Sequence, residues 1–475
     1  MDDRQQRNIA LLVAGTFFME ILDGTILSTA APSIGLAFSV PSAAVGVTIT
    51  AYLLTLAVLI PLSGWIVRRF GARRVFLAAI AIFVVASVLC AASTSLAELT
   101  LMRVAQGVGG AMMVPVGRLT VLRVTDKSAL IRTLSLLTWP ALAAPVIAPL
   151  LGGVITTYTS WHWIFLVNVP LGVVAFAAAW RLLPRQPGAM PPRLDWLGLL
   201  LTGTGLAALV SAGSLVSAET ASTLPAAVLA ATGLALCGAA VLHFRRARHP
   251  LLDLRAMRNE TFRLSQSSGF VFRMTVGAVP FLLPLLFQDA FGWSPVRSGA
   301  LVLILFVGNL AIKAAATALL QRFGFRALLI AATLGASVSM ALAAFLSAAT
   351  PLPLIVALLL FSGAVRSLGF TAYNTIAFAE IGADAMTDAN TLASTLQQVA
   401  AGFGIALGAV ALRGGDLLGA AAGAGDGSGA ATPGAFRFGF LVLAALTLVS
   451  TLGALRASPT AGDHLRRHSN PRPAQ

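Results

Sequence analysis

Two acidic residues stand in the first apolar stretch of the sequence, where a charged side chain is costly. Glu20 and Asp23 are the only charged residues between positions 9 and 31. A charge inside the hydrocarbon of a membrane costs about 2.5–3.5 kcal/mol on insertion scales, so such residues commonly serve a function. Being three residues apart, the two carboxyl groups share one face of a helix. A carboxyl group that burial favours as neutral and a cation favours as charged can take up and release a proton, which predicts proton coupling at this site.

Arg103 is the expected partner of Asp23. At about 1.5 Å per residue, Asp23 lies about 21 Å from the cytoplasmic end of its helix, and Arg103 lies about 9 Å from the outer end of the fourth helix. These depths sum to about 30 Å, one hydrocarbon thickness, so the two side chains can meet if their helices are neighbours. Two interpretations remain open. In the first, Asp23 is an exchange site, neutralised in turn by a proton and by Arg103 or a cationic substrate. In the second, it forms a static ion pair with Arg103. Glu20 lies nearer the cytoplasm, where a structural or interfacial role is also open.

Two further arginines are predicted inside the membrane, in the second half of the chain. Arg273 falls about 14 Å into the ninth helix, and Arg366 falls about 20 Å from the outer end of the twelfth. They could line a wet cavity, pair with Glu20 and Asp23, or pack against backbone carbonyls. The predicted substrate cavity comprises Asp23, Gln106, Phe17, Trp139, Arg273 and Arg366, although aromatic residues more often pack in a core.

The composition explains why these residues need membrane-spanning helices to position them. The chain has 475 residues, of which 57% are hydrophobic and 10% charged, and its mean hydropathy is +0.88. Apolar runs of about 20 residues recur throughout, each long enough to span a bilayer. We predict an all-α polytopic protein with about fourteen helices, near residues 9–31, 44–65, 75–95, 97–120, 133–158, 163–183, 196–218, 224–244, 264–287, 299–320, 327–348, 352–378, 390–412 and 436–456.

The net charge of +15 orients these helices. A nucleic-acid partner would also suit a basic chain, but here the arginines lie in short clusters between apolar runs, the pattern of the positive-inside rule. We expect a multi-pass protein of the inner (plasma) membrane with both termini cytoplasmic and no nucleic-acid partner. Cys90 and Cys237 fall inside apolar runs, where packing is their expected role.

A short internal repeat divides the chain. The sequence RFG occurs at residues 69–71, after the second helix, and again at residues 322–324, after the tenth. We therefore predict a six-helix bundle at 1–190, two extra transmembrane helices at 191–250 and a second six-helix bundle at 251–475, with a substrate path between the halves. The Gly/Ala-rich segment from Gly414 to Gly434 is predicted to be a flexible loop outside the membrane.

Several motifs resemble those of the major facilitator superfamily, and within it the fourteen-spanner drug:proton antiporters of the EmrB/QacA type. Residues 22–34 (LDGTILSTAAPSI) are similar to the first-helix signature of that family, and residues 103–111 (RVAQGVGGA) resemble its proton-transfer motif. Residues 161–170 (WHWIFLVNVP) resemble the start of its sixth helix. The resemblance implies the major facilitator fold with two linker helices, an arginine that contacts the first helix, and drugs as substrates.

Two more segments resemble family motifs but depart from them. Residues 148–153 (APLLGG) resemble the antiporter motif, with Pro149, Gly152 and Gly153 suited to bending and close helix approach. Residues 64–74 (GWIVRRFGARR) resemble the cytoplasmic gating loop, but Arg68 replaces its acidic residue. We expect an ion pair of reversed sign, called here the latch, in which Asp384 and Asp388 bind Arg68 or Arg69. Solvated loop charges remain the alternative. This gating set comprises Gly64, Arg68, Arg69, Gly71, Arg73, Asp384 and Asp388.

The expected function is secondary active transport, the proton-coupled efflux of small amphipathic compounds by alternating access. A proton-coupled importer of one metabolite is the main alternative. A membrane-embedded enzyme is less favoured because the five histidines lack metal-ligand spacing, and a sensor or scaffold would be expected to carry a soluble domain. We expect no cofactor or metal. The expected partners are the substrate, protons and the lipid bilayer, and the sequence leaves a periplasmic adaptor undecided.

Overall fold

The computed structural model describes residues 3–124, 130–184, 193–217, 223–382, 385–421 and 432–456. Within those ranges all of the regular secondary structure is helical, and there is no strand. The α-helices are α1 (Asp3–Phe38), α2 (Gly46–Phe70), α3 (Ala72–Ala91), α4 (Leu96–Val124), α5 (Leu130–Tyr158), α6 (Trp163–Leu166), α7 (Asn168–Leu182), α8 (Trp196–Ser217), α9 (Thr223–Arg246), α10 (Glu260–Leu285), α11 (Pro295–Ala343), α12 (Leu352–Ala377), α13 (Met386–Ala421) and α14 (Pro433–Arg456).

All of the predicted transmembrane segments are found as helix, which confirms the all-α polytopic fold. The short α6 and α7 together form the sixth predicted helix, and α11 contains the tenth and the eleventh. Among the described residues, 13 helices are long and apolar enough to cross a membrane, and Leu142–Tyr158 of α5 is a shorter apolar helix. These lengths fit the roughly 20 residues that a bilayer requires.

Some boundaries differ from the prediction, and each difference has a local cause. The predicted loop from Gly414 to Gly434 is wrong in its first part, because α13 continues as helix to Ala421. Gly415 packs closely against Ala435 at the start of α14, and such tertiary packing overrides the low helix propensity of glycine. Helix α1 continues through Pro32 to Phe38. Proline leaves the carbonyl four residues earlier without a donor, and the Gln288 side chain donates to the neighbouring carbonyl of Thr29 at 3.0 Å.

The chain forms two compact units. The first comprises Met1–Leu251 and Phe287–Leu303, and the second comprises Leu252–Leu286 and Ile304–Gln475. In the first unit α1 packs along α5, α4 packs against both α2 and α3, and the α8–α9 hairpin contacts α2. In the second unit α10 packs against α12, α13 and α14. The predicted domain boundaries at residues 190 and 250 stay a prediction.

Close packing in the first unit depends on small residues of α4. A methyl group at Gly109 would lie 2.7 Å from the carbonyl oxygen of Ala79, and one at Gly107 would lie 2.7 Å from Cβ of Thr55. Glycine at these two positions therefore lets α4 approach α3 and α2 within the distance that small residues allow in membrane proteins. This close approach brings polar groups on α4 next to those of its neighbours.

The internal repeat has the same local structure in both copies. Gly71 has φ 84°, and Gly324, at the kink of α11, has φ 80°, a region that favours glycine. Two residues later in each copy an arginine donates to a backbone carbonyl, Arg73 to Trp180 at 2.7 Å and Arg326 to Leu455 at 2.9 Å. Both carbonyls lie in the last turn of a helix, α7 or α14, where no intrahelical donor remains. Each arginine therefore caps the carboxyl end of a helix, α7 for Arg73 and α14 for Arg326.

Candidate functional site

Asp23 of α1 and Arg103 of α4 form a buried ion pair. Nη1 of Arg103 donates to Oδ2 of Asp23 at 2.5 Å, and the two residues are 2% and 0% exposed. The structure thus brings together the two residues whose depths were expected to match. Removing one partner of such a pair leaves a buried charge without compensation. Each residue is therefore tolerated in this position only while the other is charged.

The second carboxylate oxygen of Asp23 accepts hydrogen bonds from two amide side chains. Oδ1 accepts a hydrogen bond from Nδ2 of Asn168 at 2.7 Å and another from Nε2 of Gln106 at 3.0 Å. Gln106 also donates to Oγ of Ser87 at 2.7 Å, and its Oε1 accepts from Arg103 at 2.6 Å. Side chains of α1, α3, α4 and α7 therefore form one network that supplies the hydrogen bonds a buried carboxylate requires.

An aromatic ring covers the arginine of this network. The guanidinium carbon of Arg103 lies 4.2 Å from the ring centroid of Tyr52 on α2 and 5.8 Å from that of Phe165 on α6. A cation over an aromatic face is stabilised by the ring quadrupole, more strongly when both groups are desolvated. Arg103 is therefore stabilised as a cation both by Asp23 and by the faces of two aromatic rings.

Three members of the network were missed by the sequence reasoning, namely Asn168, Ser87 and Tyr52. All are buried, and none is charged, so the search for costly charges passed over them. Asn168 lies within the motif WHWIFLVNVP, where an amide in an apolar run was a usable signal. A buried polar group needs a partner, so neutral polar residues inside apolar spans should be treated as candidates alongside acids and bases.

Glu20 differs from Asp23 in having an unpartnered oxygen. Glu20 is half-buried, and its Oε2 has no hydrogen-bond partner among the residues that the structure describes. The hydroxyl of Tyr52 is likewise buried and unpartnered within the described ranges. Leaving a buried polar atom unpaired costs about 1–3 kcal/mol, and more for a charged group. Glu20 is therefore the acid of α1 that retains capacity to bind a ligand.

The antiporter motif lies at a tight contact between helices of the first unit. A methyl group at Gly152 would lie 2.9 Å from the carbonyl oxygen of Ile26 on α1. A methyl group at Gly153 would overlap the carbonyl of Pro295, and one at Gly299 would overlap the carbonyl of Pro149. Pro149, Gly152 and Gly153 therefore bring α5 into backbone contact with α1 and with the start of α11, as close helix approach requires.

The two arginines of the second unit bind neutral oxygens. Arg273 donates to the carbonyl of Ser265 and to Oδ1 of Asn374, both at 3.0 Å. Arg366 donates to the carbonyl of Val276 at 3.2 Å, and its guanidinium lies against two aromatic rings. Arg366 also lies beside Ser339 and Ser362, in a gap too narrow to hold a water molecule. Packing against backbone carbonyls, one of the interpretations left open, describes both residues. Their place in a substrate cavity stays a prediction.

Three of the remaining predicted cavity residues are buried in this structure. Phe17 is 8% exposed and packs in the apolar core of the first unit. Asp23 and Gln106 lie inside the hydrogen-bond network and are almost completely buried. Their lining of a substrate cavity stays a prediction. Trp139 falls in α5, and its side chain lies outside the described residues.

The gating residues are located only in part. Gly64, Arg68 and Arg69 are exposed in the last turns of α2, and Asp388 is exposed in the first turn of α13. Asp384 lies outside the described residues, and the latch of reversed sign stays a prediction. In the described part of the chain, no group of three His, Cys, Asp or Glu side chains is placed to hold a metal ion.

Comparison with known families decides the class of the protein. The family model of the Major Facilitator Superfamily matches residues 13–409. The chain belongs to the Major Facilitator Superfamily. It is therefore a multi-pass membrane transporter, and the fourteen-spanner resemblance and the major facilitator fold are confirmed.

Relatives and solved structures of the superfamily agree. The chain is 35% identical over 403 residues to MdtD of Pectobacterium atrosepticum, provisionally named a multidrug resistance protein, covering 84% of this chain and 86% of that one. It is 36% identical over 406 residues to the protein of the same name from Salmonella heidelberg, covering 84% and 85%. The xylose transporter XylE from E. coli shares the fold with a TM-score of 0.60 at 14% identity, covering 95% of this chain and 99% of that one.

Proposed function

We propose that this superfamily member exports small amphipathic compounds, cations in particular, in exchange for protons. The observation that carries the proposal is the buried carboxylate of Asp23, held by Arg103, Gln106 and Asn168. Relatives over most of the chain are provisionally named multidrug resistance proteins, which supports drugs as the substrate class. Alternating access in the plasma membrane, with both termini cytoplasmic, is part of the proposal.

The network supplies a physical reason for proton coupling. Arg103, Gln106 and Asn168 all donate to Asp23, and each of these hydrogen bonds favours the charged carboxylate. A proton on Asp23 removes the attraction for Arg103 and turns a favourable contact into a buried unpaired cation, which destabilises the arrangement with the ion pair. Protonation therefore shifts the population between two conformations of the carrier, since a bound species shifts an equilibrium by its difference in affinity for the two states.

Glu20 is the proposed contact for a cationic substrate. It lies one helical turn from Asp23 on α1, it is half-buried, and its Oε2 has no partner in the described part of the chain. A cation placed against this carboxylate would satisfy the unpaired oxygen, while the apolar part of an amphipathic molecule would contact neighbouring apolar side chains. The two acids in the apolar part of α1 would then have separate roles, with Asp23 carrying the proton and Glu20 binding the substrate.

The test is proton-driven transport in inverted membrane vesicles with Asp23→Asn. An imposed pH gradient, acid inside, should drive a panel of cationic dyes into vesicles that hold the native chain. Asp23→Asn should reduce this uptake to the level of vesicles without the transporter, because an amide cannot exchange the proton. Glu98→Gln is the matched control, since Glu98 is an exposed acid at the start of α4 and should leave uptake unchanged.

Two results would contradict the proposal. Gradient-driven uptake by Asp23→Asn at the native rate would remove Asp23 from the coupling step. Transport of the panel in the opposite direction, with accumulation driven by proton entry alongside the substrate, would favour an importer. Glu20→Gln should weaken uptake of cationic dyes more than uptake of neutral ones, and an equal loss for both would remove Glu20 from cation binding.

A further inference from the structure

The basic end of the α8–α9 hairpin is organised by a single carboxylate. Oδ1 of Asp195 accepts from the backbone N–H of Gly198 at 2.9 Å and from Nε2 of His243 at 2.7 Å. Its Oδ2 accepts from the backbone N–H of Leu251 at 3.0 Å. The chain from His243 to Leu251 comprises the last turn of α9 and the residues that follow it, and it is called here the 243–251 loop. It is held at both ends by Asp195, which also caps the start of α8.

The 243–251 loop carries positive charge without an internal acid. Arg245, Arg246, Arg248 and His249 are all exposed, and residues 243–251 contain no Asp or Glu. In the ranges that the structure describes, these arginines form no ion pair with a carboxylate, whereas Arg255 further along pairs with Asp253. An exposed cluster of unpaired guanidinium groups on a tethered loop is suited to bind an anion.

Asp195 forms no ion pair with these arginines in the described part of the chain, because its oxygens accept hydrogen bonds from Gly198, Leu251 and His243. Burial acts to raise the pKa of Asp195, but the N–H groups of Gly198 and Leu251 and the His243 side chain outweigh it and hold the pKa below its usual value. Asp195 therefore stays ionised near neutral pH and holds the loop in place. Preorganisation of this kind lowers the entropy lost when an anion is bound.

Exposed apolar side chains adjoin the basic loop. Trp196 and Leu197 at the start of α8 are 62% and 54% exposed, and Leu242 near the end of α9 is 53% exposed. These helices have the length and hydropathy of membrane spans, and tryptophan concentrates at the level of the lipid headgroups. The loop thus adjoins an exposed apolar surface at the ends of two candidate membrane spans.

We propose that the 243–251 loop binds the phosphate of an anionic phospholipid such as phosphatidylglycerol. The guanidinium groups contact the phosphodiester, and the exposed apolar residues of α8 and α9 contact the acyl chains. Arginine is suited to phosphate because its planar fork presents several donors at once. Clusters of basic residues beside a membrane helix attract anionic lipid. The site gives the two helices between the bundles a role that proton coupling does not require.

The first test compares lipid binding by variants of the full-length protein in neutral detergent. Native mass spectrometry counts phosphatidylglycerol and phosphatidylcholine adducts at increasing lipid concentration. The triple variant Arg245→Gln, Arg246→Gln, Arg248→Gln should bind phosphatidylglycerol at least about tenfold more weakly and phosphatidylcholine unchanged. The control triple Arg4→Gln, Arg7→Gln, Arg456→Gln removes the same charge from other exposed positions. An equal loss in this control would show that net charge alone governs binding and would overturn the proposal.

The second test separates a built site from general electrostatic attraction. Asp195→Asn makes the protein more positive, so a purely electrostatic association would strengthen. If the carboxylate organises the loop, phosphatidylglycerol binding should instead fall about threefold or more. His243→Gln removes one of the hydrogen bonds to Asp195 and should also lower phosphatidylglycerol binding. This second variant keeps the test valid if Asp195→Asn fails to fold. Stronger binding by a folded Asp195→Asn variant would overturn the proposal.

A third arm distinguishes lipid from free phosphate. Inorganic phosphate at millimolar concentration should displace little phosphatidylglycerol, because it lacks the acyl chains that contact α8 and α9. Complete displacement would assign the loop to soluble phosphate and contradict a lipid site. No proton gradient is present in these experiments, so they succeed or fail independently of the proposed efflux.

Discussion

The two units of the molecule treat a buried positive charge in opposite ways. In the first unit Arg103 contacts a carboxylate, and the charges of the pair cancel. In the second unit Arg273 and Arg366 contact backbone carbonyls and, for Arg273, an amide oxygen, so their positive charge stays uncompensated by an acid of the described residues. A pair can be broken by one proton, whereas a cation held by dipoles cannot. The proton-sensitive chemistry is therefore expected in the first unit.

Two asparagines express the same contrast. Asn168 in the first unit presents its N–H to the carboxylate of Asp23, while Asn374 in the second presents its oxygen to Arg273. The amide side chain can donate or accept, and in each unit it takes the role that the neighbouring charge requires. The same residue type thus stabilises an anion in one unit and a cation in the other.

The largest expected effect comes from breaking the ion pair. Arg103→Gln should destabilise the protein by about 3–5 kcal/mol, because Asp23 would stay buried without its cation. Arg366→Leu should change stability by only about 1 kcal/mol, since it leaves one carbonyl and no charge behind. Denaturant-induced unfolding in mixed micelles would measure both variants under the same conditions.

The double variant Asp23→Asn, Arg103→Gln is the control for the pair. It should recover part of the stability lost in Arg103→Gln, because no uncompensated charge remains. Equal losses for Arg103→Gln and Arg366→Leu would show that the two units hold their arginines with similar strength, and the contrast between them would fail.

A smaller effect is expected from the two asparagines. Asn168→Ala removes a charge-assisted hydrogen bond of about 1.5–3 kcal/mol from Asp23. The arrangement with the ion pair would lose one of its donors, so proton-driven uptake should fall by about tenfold. Asn374→Ala should leave uptake near the native rate, since its partner is an arginine. Vesicle uptake under one fixed pH gradient would distinguish the two variants, and equal losses would contradict the assignment of proton chemistry to the first unit.

The smallest effect concerns the arginines of the repeat. Arg73→Gln and Arg326→Gln each remove a cation from the carboxyl end of a helix, which should cost about 0.3–1 kcal/mol. The Arg73 variant should lose more, because this side chain also lies 4.9 Å from the ring centroid of Trp180. Thermal denaturation of the two variants would test the order. A larger loss for Arg326→Gln would show that the two copies of the repeat are not stabilised as their contacts suggest.

The membrane spans and the pairing of Asp23 with Arg103 could be anticipated from the sequence for one physical reason. Hydrocarbon imposes a fixed thickness and a high cost on charge, so length, hydropathy and depth carry structural information. Helical rise alone placed Asp23 and Arg103 at one level, and the structure joins them. The RFG repeat likewise marked two places with the same positive φ.

The rest depended on packing that no local pattern encodes. Asn168 reaches Asp23, and Ser87 reaches Gln106, only because α7 and α3 bring them to that level. Neither residue is charged, so neither stands out in an apolar run. The carbonyl partners of Arg273 and Arg366 were equally hidden, since every residue has a carbonyl and only the fold decides which one faces a given side chain.

The position of Cys90 makes the network observable by chemical means. Its Sγ lies 3.8 Å from Oε1 of Gln106 and is fully enclosed, whereas Cys237 on α9 is only half-buried. Because thiol reagents attack an exposed thiolate, alkylation of Cys90 requires the helices around Asp23 to separate. With Cys237 replaced by serine, the rate of labelling at this one sulfur would follow the opening of the network around Asp23 in the intact membrane.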